Sequence, residues 1–112
     1  MDRKKSLIIT SLFDGINYAY WKVHMKAFLQ SLDEKVWLFV EVYWKKPSEP
    51  ATTWDDEKII DASFNSRALN ALYIGVNNEE FKKIFTIAIT KDAWSILEIS
   101  YKGTKTVKTT KF

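Results

Sequence analysis

FDGINYAYWKVHMKAFL, residues 13–29, decides the fold. Asp14-Gly15 reads as a turn, because glycine accepts the positive φ that other residues avoid. Asn17 then stands where a side-chain oxygen can cap a helix. The pattern predicts that helix over residues 18–31. Trp21, Met25, Phe28, Leu29 and Leu32 recur at offsets of four, seven, eight and eleven, which is one face of an α-helix. Lys22, Lys26 and Gln30 fall on the other face.

The same reading extends along the chain. Asp33 can cap a second helix reaching about residue 43, with Val36, Trp37, Val40 and Trp44 as its stripe. KKPSEPA, residues 45–51, holds both prolines and predicts a loop. Thr53-Trp54-Asp55-Asp56 resembles a capping box, and acids suit the first turn of a helix. A third helix is expected over residues 54–74, with Ala62, Asn65, Leu69, Leu72 and Val76 at three-four spacing and Gly75 as its stop. Asn77 to Glu80 opens a fourth, with Phe81, Ile84 and Phe85 inward. Thr90 caps a fifth, in which Ala93, Trp94, Leu97 and Tyr101 repeat and Gly103 closes the helix. Residues 6–12, SLIITSL, are β-branched and read as an extended arm. The expectation is an all-α fold: a compact bundle of about five helices with a short extended N-terminal arm. Its parts are an arm over 1–12, a helical lobe over 13–103, and a basic tail or further helix start over 104–112.

Length and composition bound the rest. A chain of 112 residues makes one domain at most. With 46% hydrophobic and 28% charged residues it is expected to fold rather than stay disordered. There is no cysteine, which excludes disulfides, thiolate metal sites and Cys nucleophiles and suits a reducing, cytoplasmic setting. The longest apolar runs, 36–40 and 84–89, fall far short of the roughly 18 residues a membrane helix needs. The net charge is +3, but residues 2–5 carry +2 and residues 102–111 carry +4, leaving the segment between at −3. Any attraction to nucleic acid is therefore expected at the ends rather than on the folded body.

Three blocks of this sequence together resemble a known family. The first is Phe13-Asp14-Gly15 with Asn17-Tyr18, Trp21-Lys22, Met25 and Leu29, followed by Trp37. The second is Trp54 with Ala68-Leu69-Asn70-Ala71-Leu72. The third is Ala93-Trp94, Leu97-Glu98, Tyr101 and Gly103-Thr104, with Val107-Lys108. In order and spacing they are similar to the N-terminal part of the Gag proteins of copia-type LTR retrotransposons, which are abundant in plants. Two positions depart from that pattern: Lys102 stands where Glu is usual, and Ile89 where a small residue is common. The resemblance implies an all-helical capsid lobe that self-associates into a particle enclosing RNA. The CCHC zinc knuckle of such proteins is not among these residues, so strong RNA binding is not carried over. The resemblance also implies a following helix, so an apolar surface is expected to stand open at the C-terminal face.

Residues that could carry chemistry have simpler readings. His24 is the only histidine and has neither a second ligand nor a nucleophile partner in pattern. Asp55, Asp56, Glu57 and Asp61 could work as paired carboxylates, but a helix first turn already favours acids there. The three scattered glycines form no phosphate loop. No catalytic residue, metal ligand or cofactor is expected. Lys102, Lys105, Lys108 and Lys111 recur every three residues and are the candidate phosphate contacts, giving weak, salt-sensitive, nonspecific RNA binding. Tyr20, Tyr43 and Trp44 fit the inward stripes least well and are the candidate interface residues.

The sequence thus predicts a structural, non-enzymatic lobe acting as a homo-oligomer. Phe13, Gly15, Tyr18, Trp21, Met25, Leu29, Trp37, Trp54, Leu69, Leu72, Trp94, Leu97, Tyr101 and Gly103 would form its core and motif framework. The alternative is a domesticated adaptor that takes a peptide segment in an apolar groove beside the N-terminal arm.

Overall fold

The computed structural model describes residues 12–110, with residues 104–110 as backbone only. The expected arm over 1–12 therefore lies outside the described residues, apart from Leu12, as do the side chains of Lys105, Lys108 and Lys111. Five α-helices account for most of what is described: α1 Tyr18–Leu32, α2 Glu34–Glu41, α3 Asp56–Ile74, α4 Asn78–Ile84 and α5 Thr90–Thr110. A 3₁₀ turn, Ala51–Thr53, interrupts the proline loop.

Helix α1 buries Tyr18, Trp21, Met25 and Leu29, spaced three, four and four. Asp33 ends it and starts the next helix. Its backbone is extended, its N–H donates to the Leu29 carbonyl, and its carboxylate accepts from the Lys35 N–H. One residue thus serves as a cap on both sides, and α2 turns back across α1. Helix α2 packs on α1, α3 and α5, and α5 also packs on α3 and α4. A single core lies between them, with Phe13, Trp21, Met25, Leu29, Val36, Leu72, Ile84 and Leu97 fully buried.

Several boundaries differ from expectation. Helix α2 stops at Glu41 and Val42 is extended, two residues early. Five residues separate Phe39 from Trp44, which on a helix would put them on different faces. Leaving the helix lets the Trp44 ring stack on Phe39 at 6.3 Å and 11°. Helix α3 begins at Asp56, not Trp54. Asp55 is the cap, accepting from the Lys58 N–H at 2.9 Å, while Trp54 is extended and donates its indole N–H to the Glu49 carbonyl. Trp54 is consequently half-buried and outside the core. Val76 is buried, but through a parallel bridge to Phe13 rather than as part of α3. Phe85 follows the end of α4 and is 55% exposed instead of inward.

Gly103 does not close the last helix, because α5 runs through it to Thr110. A helical glycine costs only about 1 kcal/mol relative to alanine, which a helix packed along much of its length can absorb.

Candidate interaction surface

The N-terminal corner is built from polar side chains that fold back on their own backbone. Gly15 has φ 93, the left-handed conformation that the turn requires. Asp14 Oδ1 accepts from the N–H groups of Ile16 at 2.9 Å and Asn17 at 3.2 Å. Asn17 does not cap α1 with its side chain as expected. Instead its Oδ1 accepts from the Asp14 N–H and its Nδ2 donates to the Leu12 carbonyl, which locks the turn. This turn drops Phe13 into the core, where it bridges to the end of α3. The Phe13 N–H donates to the Gly75 carbonyl and the Asn77 N–H to the Phe13 carbonyl. The Gly75 carbonyl also accepts the Trp21 indole N–H at 2.8 Å.

The first and third motif blocks meet in one aromatic cluster. Trp94 lies 4.9 Å from Trp21 and 5.5 Å from Trp37 between ring centroids, and its indole N–H donates to the Tyr18 hydroxyl at 2.9 Å. Tyr101 stacks on Tyr18 at 5.2 Å. Burial raises the Tyr18 phenol above its ordinary pKa. The Trp94 N–H partly offsets that rise, and the nearby Glu98 charge adds to it. Leu69 and Leu72 complete the buried side of α3.

Two buried polar knots were not apparent as such in the sequence. Asn65 points inward from α3, and its Oδ1 accepts from the Thr90 N–H at 2.9 Å. Its Nδ2 donates to the Ala88 carbonyl at 2.7 Å, and the Thr90 hydroxyl sits 2.8 Å from Oδ1. This pins the start of α5 to the middle of α3. Glu80, buried on α4, accepts from the Ser100 hydroxyl at 2.8 Å and pairs with Lys83 at 3.1 Å, which joins α4 to α5. Asn65 at a core position of its stripe was the one available signal. Glu80 reads in sequence as an ordinary first-turn acid.

The outward side of α1 is apolar where a solvent face would be polar. Ile16, just before α1, is 56% exposed, Tyr20 76% and Val23 62%. Within the helix, Tyr20 and Val23 stand three apart and share one stripe. Ala27, also exposed, continues it. Of the three expected interface aromatics, Tyr20 sits in this stripe. Tyr43 is exposed on the segment after α2, and Trp44 is half-buried on Phe39. The three are not one surface.

Two concavities flank α3. A cleft of about 450 Å³ is lined by Trp44, Trp54, Tyr73 and Phe85 among others. A groove of about 290 Å³ runs between α1 and α3 on another side. His24 is exposed on α1. Among the described residues, no three His, Cys, Asp or Glu side chains gather as metal ligands would. Lys102 is exposed and lies 3.7 Å from Glu98. No described helix is long and apolar enough to cross a membrane.

No protein-family model matches this chain, and neither a curated protein nor a solved structure gives a significant match.

Proposed function

We propose that this chain is a structural, non-enzymatic Gag capsid-type lobe, similar to that of copia-type retrotransposons, that works by self-association. The observation that carries the reading is the outward pair Tyr20 and Val23, more than half exposed on a helix whose opposite face is fully buried, with Ile16 exposed just before that helix. An apolar stripe of this kind pairs readily with its own copy about a two-fold axis. Repeated around a particle, individually weak contacts add through avidity. The all-helical fold is what the resemblance implies, and the meeting of two motif blocks around Trp21 and Trp94 supports a structural role for those residues. The buried polar side chains Asn65, Glu80 and Thr90 are all tied into contacts between helices. RNA attraction in this reading falls to the basic ends, Lys102, Lys105, Lys108 and Lys111, and fades with salt.

Sedimentation over a concentration series tests the reading. The chain should associate in the micromolar to millimolar range, and Tyr20→Glu with Val23→Glu should suppress association while leaving the helical content unchanged.

A second reading, capture of a peptide segment, draws support from the four aromatic rings around the 450 Å³ cleft. That cleft lies against the middle of α3 and the α4–α5 connection, whereas the 290 Å³ groove ends at Ile74, one residue before the Gly75 carbonyl that holds Phe13.

A further inference from the structure

Helix α1 carries a seam opposite its buried face. Tyr20, Val23, Ala27 and Gln30 stand three, four and three apart, the spacing that holds one line of a helix against a partner helix. Tyr20, Val23 and Ala27 are exposed and Gln30 is half-buried. Positive charge is drawn off this line. The Lys22 ammonium lies 5.5 Å from the Tyr18 ring and the Lys26 ammonium 5.3 Å from the Trp37 ring, which takes both to one flank of the helix. His24 is exposed on the other flank, next to the seam. The helix contains no Asp or Glu.

The seam is complementary to itself in one orientation. An antiparallel copy, related by a two-fold axis at the level of Met25, sets Val23 against Ala27 of the second copy and Tyr20 against Gln30. Each bulky side chain then meets a smaller or more flexible one, and every contact occurs twice. A parallel copy would set Tyr20 on Tyr20 and Ala27 on Ala27, which crowds one level and leaves a gap at the other. The outward side of a 15-residue helix can bury only a few hundred Å² per copy, below the roughly 800 Å² per partner of a stable complex. Such a pair is weak, and one change of charge can tip it.

The same rotation keeps each flank on its own side. His24 of one copy therefore faces His24 of the other, offset by about 3 Å along the helix axes. Lys26 faces Lys26 on the far flank, but each ammonium is already held over Trp37. The charged groups around the two imidazoles give no relief. Asp14, Asp33 and Glu34 stand at the ends of α1, about 10 Å or more along the axis from His24 in either copy, beyond a Debye length of roughly 8 Å at physiological salt. From α3, beyond Phe28, the wall of the neighbouring groove supplies Arg67 and no acid. Tyr20, one turn before His24, is a phenol, and phenols stay neutral near pH 7.

We propose that α1 pairs antiparallel with α1 of a second copy about a two-fold axis at the level of Met25, and that the facing His24 side chains separate the pair when they take up protons. This pairing rests on the self-association reading and gives it a register and a control. Histidine changes charge between pH of about 5 and 8. Pairing is therefore strongest at the upper end of that range and weakens towards the lower.

Two measurements on the full chain test this. The first is sedimentation at pH of about 7.5 and 5.5, with circular dichroism at each pH to follow the fold. The native chain should associate about tenfold more weakly at the lower pH, as a close like-charge pair requires. His24→Gln, at an exposed position, should associate equally at both. The second is mild oxidation of single-cysteine chains, since the native sequence has no cysteine. His24→Cys should form a disulfide dimer at least tenfold faster than Tyr20→Cys, whose two copies stand about 15 Å apart along the axes. A native chain that is monomeric at both pH values would overturn this pairing together with the self-association reading. Association that Tyr20→Glu with Val23→Glu suppresses, but whose pH dependence persists in His24→Gln or is missing from the native chain, would overturn the pairing and leave that reading standing. So would Tyr20→Cys dimers that form as fast as those of His24→Cys.

Discussion

The rings of Trp21 and Trp94 lie 4.9 Å apart between centroids, tilted by 35°, and both are buried. Each indole N–H is also committed: Trp21 to the Gly75 carbonyl and Trp94 to the Tyr18 hydroxyl. The pair therefore joins α1, the end of α3 and α5 through packing and two hydrogen bonds. Trp21→Ala should destabilise the fold by about 3–5 kcal/mol, a large share of the roughly 5–15 kcal/mol available to a domain of this kind. Trp94→Phe keeps most of the packing and loses one hydrogen bond, so about 1 kcal/mol is expected. Urea denaturation followed by circular dichroism measures both.

Asn65 carries the second structural prediction. Asn65→Ala would strip partners from the Thr90 N–H and the Ala88 carbonyl at once, while the Thr90 hydroxyl keeps the Asn65 backbone carbonyl at 2.9 Å. A buried group without a partner costs about 1–3 kcal/mol. Some of these groups can turn to water, so a total loss of about 3 kcal/mol is expected in the same assay. Protection of the first-turn amides of α5 from hydrogen exchange should fall with it.

Much of this architecture was legible from spacing alone. The α1 stripe of Trp21, Met25 and Leu29, the cap at Asp33, the opening of a helix at Asn77, and the turn at Gly15 follow from local chemistry. What was not legible depends on tertiary contact. Trp54 lies at the foot of α3, but its indole is drawn to Glu49 in the loop instead of the core. Phe85 follows a helical rhythm that stops one residue before it. Gly103 looks like punctuation, yet α5 passes through it because the helix is supported elsewhere. The outward stripe on α1 was only partly visible. Tyr20 stood out by type, while Val23 needed the buried face to be fixed before its own was known to be free.

Gly103 yields a test of opposite sign. A Cβ built there meets nothing within 4 Å, and its helical backbone suits alanine. Gly103→Ala should therefore stabilise the protein by about 0.5–1 kcal/mol. Thermal unfolding would register a rise of a few degrees, whereas a helix-ending glycine would give a loss.

The Tyr18 phenol supplies a pH dependence. Burial raises its folded-state pKa above the unfolded value of about 10. The folded chain therefore holds this proton more tightly than the unfolded one. The stability it contributes is complete below pH of about 10 and falls as pH rises past that value, where the unfolded phenol ionises first. Unfolding free energy measured from pH 8 to 11 should decline more steeply in the native sequence than in Tyr18→Phe.

Sedimentation velocity of the full chain, from micromolar to millimolar concentration beside the Tyr20→Glu, Val23→Glu variant, tests the central claim most directly. Both positions are exposed, so the variant should retain its helical signal and melting temperature. The account predicts that the sedimentation coefficient of the native sequence climbs with concentration while that of the variant stays at the monomer value. A native chain that remains monomeric throughout, or a variant that associates as strongly as the native chain, would contradict it.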